Sequence, residues 1–446
     1  MIRRAAAGCA LALACALTSN VVAEDFPYPD SMREGVEFWK NVWARWTMSQ
    51  VVLHDMDHPS IVYEIFELPG PVGETYTEAQ RDYVKARREA ISSRLSDIEA
   101  KVAAGEPLAD DEKAVVLKIT DVSGSEGIEG ASFRVRSQRG LRERFRRGLE
   151  IAGRYHDAFA AIFREAGLPE DLAYIPHVES SFQADALSSA GAVGVWQFTR
   201  GAARKFMLMT PALDERRDPV AAAAGAARYL GSAYAEFQSW PLAITSYNHG
   251  VAGMRAAKER FGTDFERVLA EYDGRTFGFA SKNFYKEFLA AREIAKDPAA
   301  YFPEGFSPLP PAALDRVVLE SPAAASAVAH RYGVPVARLA ELNPGWTRRA
   351  LSDHASLPAG TRVWLPEGTL TPRKAPAPTP PAAAAIAGSV APAAGGSAVH
   401  VVRKGETLFR IATSYGISLT RLLEANGLNR STPIHPGQEI RIPALR

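Results

Sequence analysis

Between Leu149 and Pro298 the chain lacks the period-two alternation of polar and apolar residues that a half-buried strand needs. That absence restricts the possible folds more than any other property of the sequence. Apolar residues recur instead three and four apart, the spacing of one helix face. They divide the stretch into helical segments at Ile151–Ala166, Pro169–Ser180, Gly201–Met209, Pro219–Glu236, Leu242–Thr245, Val251–Arg260 and Phe284–Ala295. Asp218-Pro219 has the form of a helix entry, an N-cap acid followed by proline in the first turn. The expectation is an all-α domain over about residues 149–300.

Inside it, Leu168–Arg200 carries the chemistry. Leu172, Ile175 and Glu179 fall on one helix face. Pro169 suits a first turn, whereas Pro176 should bend the helix or tighten its last turn. Glu179 then lies near a helix C-terminus on the apolar side, and both the helix end and desolvation disfavour its charged form. A carboxyl kept protonated near neutral pH is what a general acid requires. The plainer reading is a salt-bridged or capping glutamate, since structural ion pairs outnumber catalytic acids. Gln197 follows a turn rich in small residues, Ser188-Ser189-Ala190-Gly191-Ala192-Val193-Gly194, that would let backbone approach a bulky ligand. Tyr247 and Asn248 precede His249-Gly250, a helix-ending turn at which a phenol and an amide would reach a groove; by itself Tyr247 reads rather as a half-buried core tyrosine.

Taken together, Glu179-Ser180-Ser181-Phe182, then Ser188 to Gln197, then Ser246-Tyr247-Asn248 with Gly250 resemble the lytic transglycosylases of the goose-type lysozyme superfamily, and most of all the membrane-bound lytic murein transglycosylase D group. The resemblance implies a lysozyme-like α-helical catalytic domain. It implies Glu179 as the sole catalytic acid, with Ser188, Gln197, Tyr247 and Asn248 lining a glycan groove or steadying the carboxyl. The implied reaction breaks the β-1,4 bond between N-acetylmuramic acid and N-acetylglucosamine without water, closing a 1,6-anhydro ring, with no cofactor and no metal. Ordinary glycosidases use two carboxylates, so a one-carboxylate route would draw its second group from the substrate. One position departs from the pattern: where many members carry Glu-Thr-x-x-Tyr, this chain has Ala280-Ser281-Lys282-Asn283-Phe284. Two other readings stay open, a muramidase in which water attacks and a wall-binding protein with an idle site.

The flanks complete the expectation. Met1–Ala23 has the basic start, apolar run and small-residue cleavage site of a secretory leader. Both cysteines, Cys9 and Cys15, lie within it, and Ala12-Leu13-Ala14-Cys15 is a poor lipidation signal. Export to the periplasm follows, with outer-membrane association left open. A formal charge of +1 gives no basic surplus for nucleic acid. Residues 24–148 read as a helical extension in which Phe38, Trp39, Trp43 and Trp46 are core rather than a sugar platform. His54 and His58 have the spacing of a helical zinc pair but no third ligand, and Arg134–Arg147 reads as a solvated basic helix face.

Beyond Pro298, residues 399–446 show a βααβ pattern around Val399-His400-Val401-Val402, Ser414-Tyr415-Gly416 and Pro436-Gly437-Gln438, and resemble a LysM module, which implies binding to N-acetylglucosamine-containing glycan such as peptidoglycan. Residues 314–367 repeat it in degenerate form: Arg331-Tyr332-Gly333 through Asn343 matches Ser414-Tyr415-Gly416 through Asn426, with extra residues before the last strand. The Pro- and Ala-rich stretch Thr371–Ala398 between them reads as an extended linker.

Overall fold

The computed structural model describes residues 26–370 and, with short gaps, residues 398–443. The expected leader therefore lies outside the described residues, as does the linker apart from Ala398, which opens a strand. The chain divides into two compact units, residues 1–373 and 374–446.

The first unit begins with α1 (Asp30–Ala44), whose Phe38, Trp39 and Trp43 are buried together with Trp46 just beyond it. Burial of each such ring contributes on the order of 1.5–3 kcal/mol, so the aromatic stripe is core, as its helical spacing predicts. Residues 24–148 also contain a sheet that the helical expectation missed. β1 (Gln50–Asp55), β2 (Val62–Glu67) and β3 (Val135–Arg139) form an antiparallel sheet in the order β2-β1-β3, next to α2 (Glu78–Ala104) and α3 (Asp110–Ser123). Strand β1 runs Gln50-Val51-Val52-Leu53-His54-Asp55 and is buried on both faces after its first residue. A strand covered on both faces shows no alternation to detect.

His54 accordingly lies on a strand, not a helix. Burial pulls its imidazole down to about 4, and its Nδ1 lies 2.8 Å from the Asp55 carbonyl. His58 lies 3.8 Å from Glu34 instead, and the described residues contain no cluster of three metal-ligating side chains. The basic run also differs from a solvated helix face. Its first half is β3, where Arg139 donates to the carbonyls of Met48, Gly73 and Glu74. Arg134 meets the buried Asp55 at 2.9 Å, and Arg142 pairs with Glu304. These arginines spend their charge on internal partners.

The helical domain follows the expected order with shifted ends. The first segment is two helices, α4 (Arg142–Ala152) and α5 (His156–Glu165), parted at Gly153, where a side chain would meet the Leu309 carbonyl at 2.8 Å. The second is a 3-10 turn, Glu170–Tyr174, leading into α6 (Ile175–Glu179). Next come α7 (Arg200–Phe206), α8 (Pro219–Phe237), α9 (Trp240–His249), α10 (Val251–Phe261), α11 (Phe265–Glu271), which the sequence reading missed, α12 (Phe279–Lys296) and α13 (Pro298–Tyr301). Asp218 caps α8 by accepting from the amides of Val220 and Ala221, with Pro219 in the first turn, as its sequence specifies. One continuous apolar core joins α1 to these helices.

The degenerate repeat packs on this domain. β4 (Leu314–Val318) pairs antiparallel with β5 (Arg362–Pro366) around α14 (Ala325–Tyr332) and α15 (Val336–Leu342), and the extra residues form α16 (Arg348–Leu351). Its apolar cluster takes in Ala212 and Leu213 of the helical domain. Trp364 donates its indole N–H to the Asp218 carboxylate at 2.8 Å. Asp214 N–H donates to the Gly345 carbonyl, and Thr347 N–H to the Ala212 carbonyl.

In the second unit, β6 (Ala398–Val401) pairs antiparallel with β7 (Glu439–Ile442) next to a helix at Leu419–Asn426. The two repeats share one device. Asn343 donates to the Leu339 and Trp364 carbonyls and accepts from Trp364 N–H. Asn426 does the same with Leu422 and Arg441. Each asparagine ties the end of a helix to the last strand of its module.

Candidate active site

Glu179 is the last residue of α6, a helix of five residues. Pro176 stands in its first turn, where the 3-10 geometry changes to α, so it starts this helix rather than bending a longer one. The chain then turns sharply. Ser181 and Phe182 both have positive φ, 51° and 58°, a conformation costly for a bulky side chain. Surrounding contacts enforce it. The amides of Ser180 and Phe182 both donate to the Pro176 carbonyl, and Ser180 Oγ donates to the Val195 carbonyl at 2.8 Å. The fully buried Phe182 ring packs against Phe159 and His177.

The Glu179 carboxyl keeps a small part of its surface open but is densely enclosed by protein. Desolvation pushes it up to about 8, and the neighbouring Glu287 charge pushes the same way. Burial, not the dipole of so short a helix, therefore does most of the work. His177 on α6 is sandwiched against Phe145, and burial pulls it down to about 3. It is neutral at every physiological pH and offers Glu179 no counter-charge.

The small-residue loop is tied to this turn by the Ser180–Val195 bond. Ser188 closes it: its hydroxyl accepts from Ala192 N–H at 3.0 Å, and its backbone pairs with the same residue. That leaves the hydroxyl hydrogen available to a ligand. Gly194 has φ 78°, and a side chain there would meet the Arg216 carbonyl at 2.3 Å, so only glycine fits. Arg216 is buried and pairs with Asp214 at 2.8 Å while donating to the Gly191 and Phe198 carbonyls. The Asp214–Asp218 stretch thus holds the loop and caps α8. Gln197 has φ 46°, and its amide donates to the Gly194 and Ala186 carbonyls.

Tyr247, near the end of α9, joins the two sides. Its hydroxyl donates to the Trp196 carbonyl at 2.8 Å, and burial together with the Glu179 charge holds the phenol well above its usual value. With its hydrogen committed, its free lone pairs can only accept. Asn248 is exposed, and its Oδ1 accepts from Ser281 Oγ at 2.9 Å, which leaves its two N–H donors for a ligand. Ser281 is part of the stretch that departs from the Glu-Thr-x-x-Tyr pattern; it orients Asn248, while the preceding Ala280 supplies no acid. Glu179 and Tyr247 thus meet beside the loop that Gln197 and Ser188 hold closed. The sequence reading missed Glu287 on α12, whose carboxyl burial also pushes up to about 8. Nothing local distinguishes it in the sequence; only the packing of α12 on α6 puts it beside Glu179.

Residues 158–268 match the family described as Transglycosylase SLT domain, and residues 325–366 and 400–443 match LysM domains. Over 289 residues the chain is 30% identical to the membrane-bound lytic murein transglycosylase D of Escherichia coli strain K12, covering 63% of this chain and 61% of that protein. The same figures hold for the protein of that name in Escherichia coli O6:H1. The chain thus spans about three-fifths of the length of the curated relatives it matches. Among solved structures, the soluble lytic transglycosylase of Escherichia coli is 16% identical with a TM-score of 0.29, covering 51% of this chain and 45% of that one. An inactive mutant of the Pseudomonas aeruginosa lytic transglycosylase Slt is 20% identical with a TM-score of 0.28, covering 35% and 25%. Residues 158–268, with Glu179, Gln197 and Tyr247 inside them, are a transglycosylase SLT domain, and two LysM domains follow it in the chain.

Proposed function

We propose that this protein is a peptidoglycan lytic transglycosylase with Glu179 as its acid and base. The observation that carries the reading is an enclosed carboxyl at the end of α6 that desolvation pushes up to about 8, within the residues that match the SLT domain. Glu179 gives that proton to the oxygen linking N-acetylmuramic acid to N-acetylglucosamine as the C1–O bond breaks. The resulting carboxylate takes the proton of the muramoyl C6 hydroxyl as that oxygen bonds to C1. The products are a free N-acetylglucosamine hydroxyl and a 1,6-anhydro-muramoyl end, and Glu179 returns to its starting state. Asn248 N–H donors and the Ser188 hydroxyl bind the glycan, while Gln197 and the Tyr247–Trp196 link hold the groove in shape.

Glu287 bears on the hydrolytic alternative. Two-carboxylate hydrolysis needs one group ionised as base or nucleophile. Burial favours the neutral form of Glu287, which makes it a poor base for water. The domains then read as a catalytic region at 149–300, a LysM module at 314–367 braced against it, and a second module at 399–446 on the linker. A tethered glycan-binding module raises the local concentration of enzyme on its polymer. The leader Met1–Ala23 supports export to the periplasm, and the relatives' printed names suggest a membrane association that we extend to this chain.

The test is digestion of purified peptidoglycan with the protein and with Glu179→Gln, followed by mass spectrometry of the products. Anhydro-muropeptides from the wild type alone are expected. Reducing ends would make it a muramidase, and no products from either would leave a wall-binding protein.

A further inference from the structure

Glu287 has no role in the reaction above, yet the fold fixes it in place. α12 is pinned at two levels. Phe284 lies nearly parallel to the Tyr247 ring at 6.4 Å. Two turns further, Arg292 and Lys296 both bind Asp171 of the 3-10 turn that leads into α6, Lys296 at 2.6 Å. Glu287 lies three residues after Phe284 and shares that face of the helix. α12 packs against α6, and Glu287 is among the groups that act on Glu179. No protein hydrogen bond or ion pair to either the Glu179 or the Glu287 carboxyl occurs among the described residues, and both residues keep part of their surface open.

We propose that Glu287 is a positioning residue for Glu179: the two carboxyls act as one proton-holding pair, so that Glu179 stays protonated and is the member that gives and regains the proton. The proposal rests on the lytic transglycosylase reading. Two adjacent carboxylates in an enclosed site resist joint ionisation, so the pair releases its protons in separate steps and retains one of them to higher pH.

The other titratable groups around Glu179 do not account for this behaviour. On its own helix His177 is neutral. On α9, Tyr247 is held protonated and donates elsewhere. In the 3-10 turn Asp171 is neutralised by Arg292 and Lys296. On α4, Arg142 binds Glu304, Arg146 the Gly305 carbonyl, and Glu143 accepts from Met48 N–H; Arg144, Arg147 and Glu150 are its other charges, and none of the six is among the causes of the Glu179 shift. Glu287 is the one charge that acts on it.

The experiment measures the rate of anhydro-muropeptide release from purified peptidoglycan against pH for the full chain, Glu287→Gln and Glu287→Asp. Replacing Glu287 by a neutral amide removes the charge that strengthens the last proton, so Glu179 loses its proton earlier. The alkaline limb should move to lower pH by at least about half a unit, and Glu287→Asp should restore part of it. A limb that stays in place while the rate falls at every pH would make Glu287 a packing residue and overturn the proposal. Should Glu287→Gln fail to fold, carbon-13 titration of the glutamate carboxyls in the wild type decides. Coupled two-step curves for two resonances support the pair, and two independent single steps refute it. A wild type that makes no anhydro product refutes the proposed reaction, a failure separate from the carboxyl titration.

Discussion

Glu179→Gln should abolish activity and at the same time stabilise the protein, by an amount that grows with pH. An unfolded glutamate releases its proton near 4.5, whereas folded Glu179 keeps it to about 8. Below the lower value both states are protonated and pH has no effect through this group. Between the two the folded state carries a proton that the unfolded state has lost, so stability falls as pH rises; above the upper value the loss is complete. Each unit in that window costs about 1.4 kcal/mol, an upper figure of roughly 5 kcal/mol across it. Glu179 retains some solvent contact, and screening reduces the cost to about 2 kcal/mol. Glutamine has nearly the same shape and no charge, so it pays none of this. In thermal melts the variant should match the wild type at about pH 4.5 and exceed it at about pH 8.5, by roughly 2–4 °C per kcal/mol or less in a unit of this size. A melting difference that is flat with pH would refute the claim that the fold holds this carboxyl protonated, whatever the activity shows.

Gly194→Ala should be strongly destabilising, by about 3 kcal/mol, because its backbone has φ 78° and the new carbon meets the Arg216 carbonyl at 2.3 Å; urea unfolding measures it. Trp364→Phe removes the bond to Asp218 that helps seat the first LysM module. It should cost about 1–2 kcal/mol and raise proteolytic cutting between residues 302 and 313, while Glu179-dependent chemistry on short glycans persists. Tyr247→Phe leaves the Trp196 carbonyl without its donor. It should cost about 1 kcal/mol of stability in denaturant melts but lower kcat by more than tenfold, since the same bond holds the loop beside Glu179; equal small effects on both would make Tyr247 a core tyrosine.

The site was legible in part because several of its residues are held by local rules. Asp218 caps a helix where an acid precedes Pro219, and Gly194 stands where no side chain fits. The two asparagines Asn343 and Asn426 hold equivalent positions in the repeats because the same turn needs the same bonds. Glu287 was not legible because a helical glutamate is ordinary until a second carboxyl is packed against it. The sheet of residues 24–148 was missed because β1 is buried on both faces and so hides the alternation that marks a strand.

Helix periodicity, caps, glycine turns and the repeat of the small modules are short-range properties, set by side-chain sterics and hydrogen bonding over a few residues, and the chain order states them directly. The proton on Glu179 is not such a property. Its retention to about pH 8 depends on how completely α6, α9 and α12 exclude water and on a charge more than a hundred positions away in the chain. Desolvation and Coulomb interaction act through space, so only the assembled fold decides them.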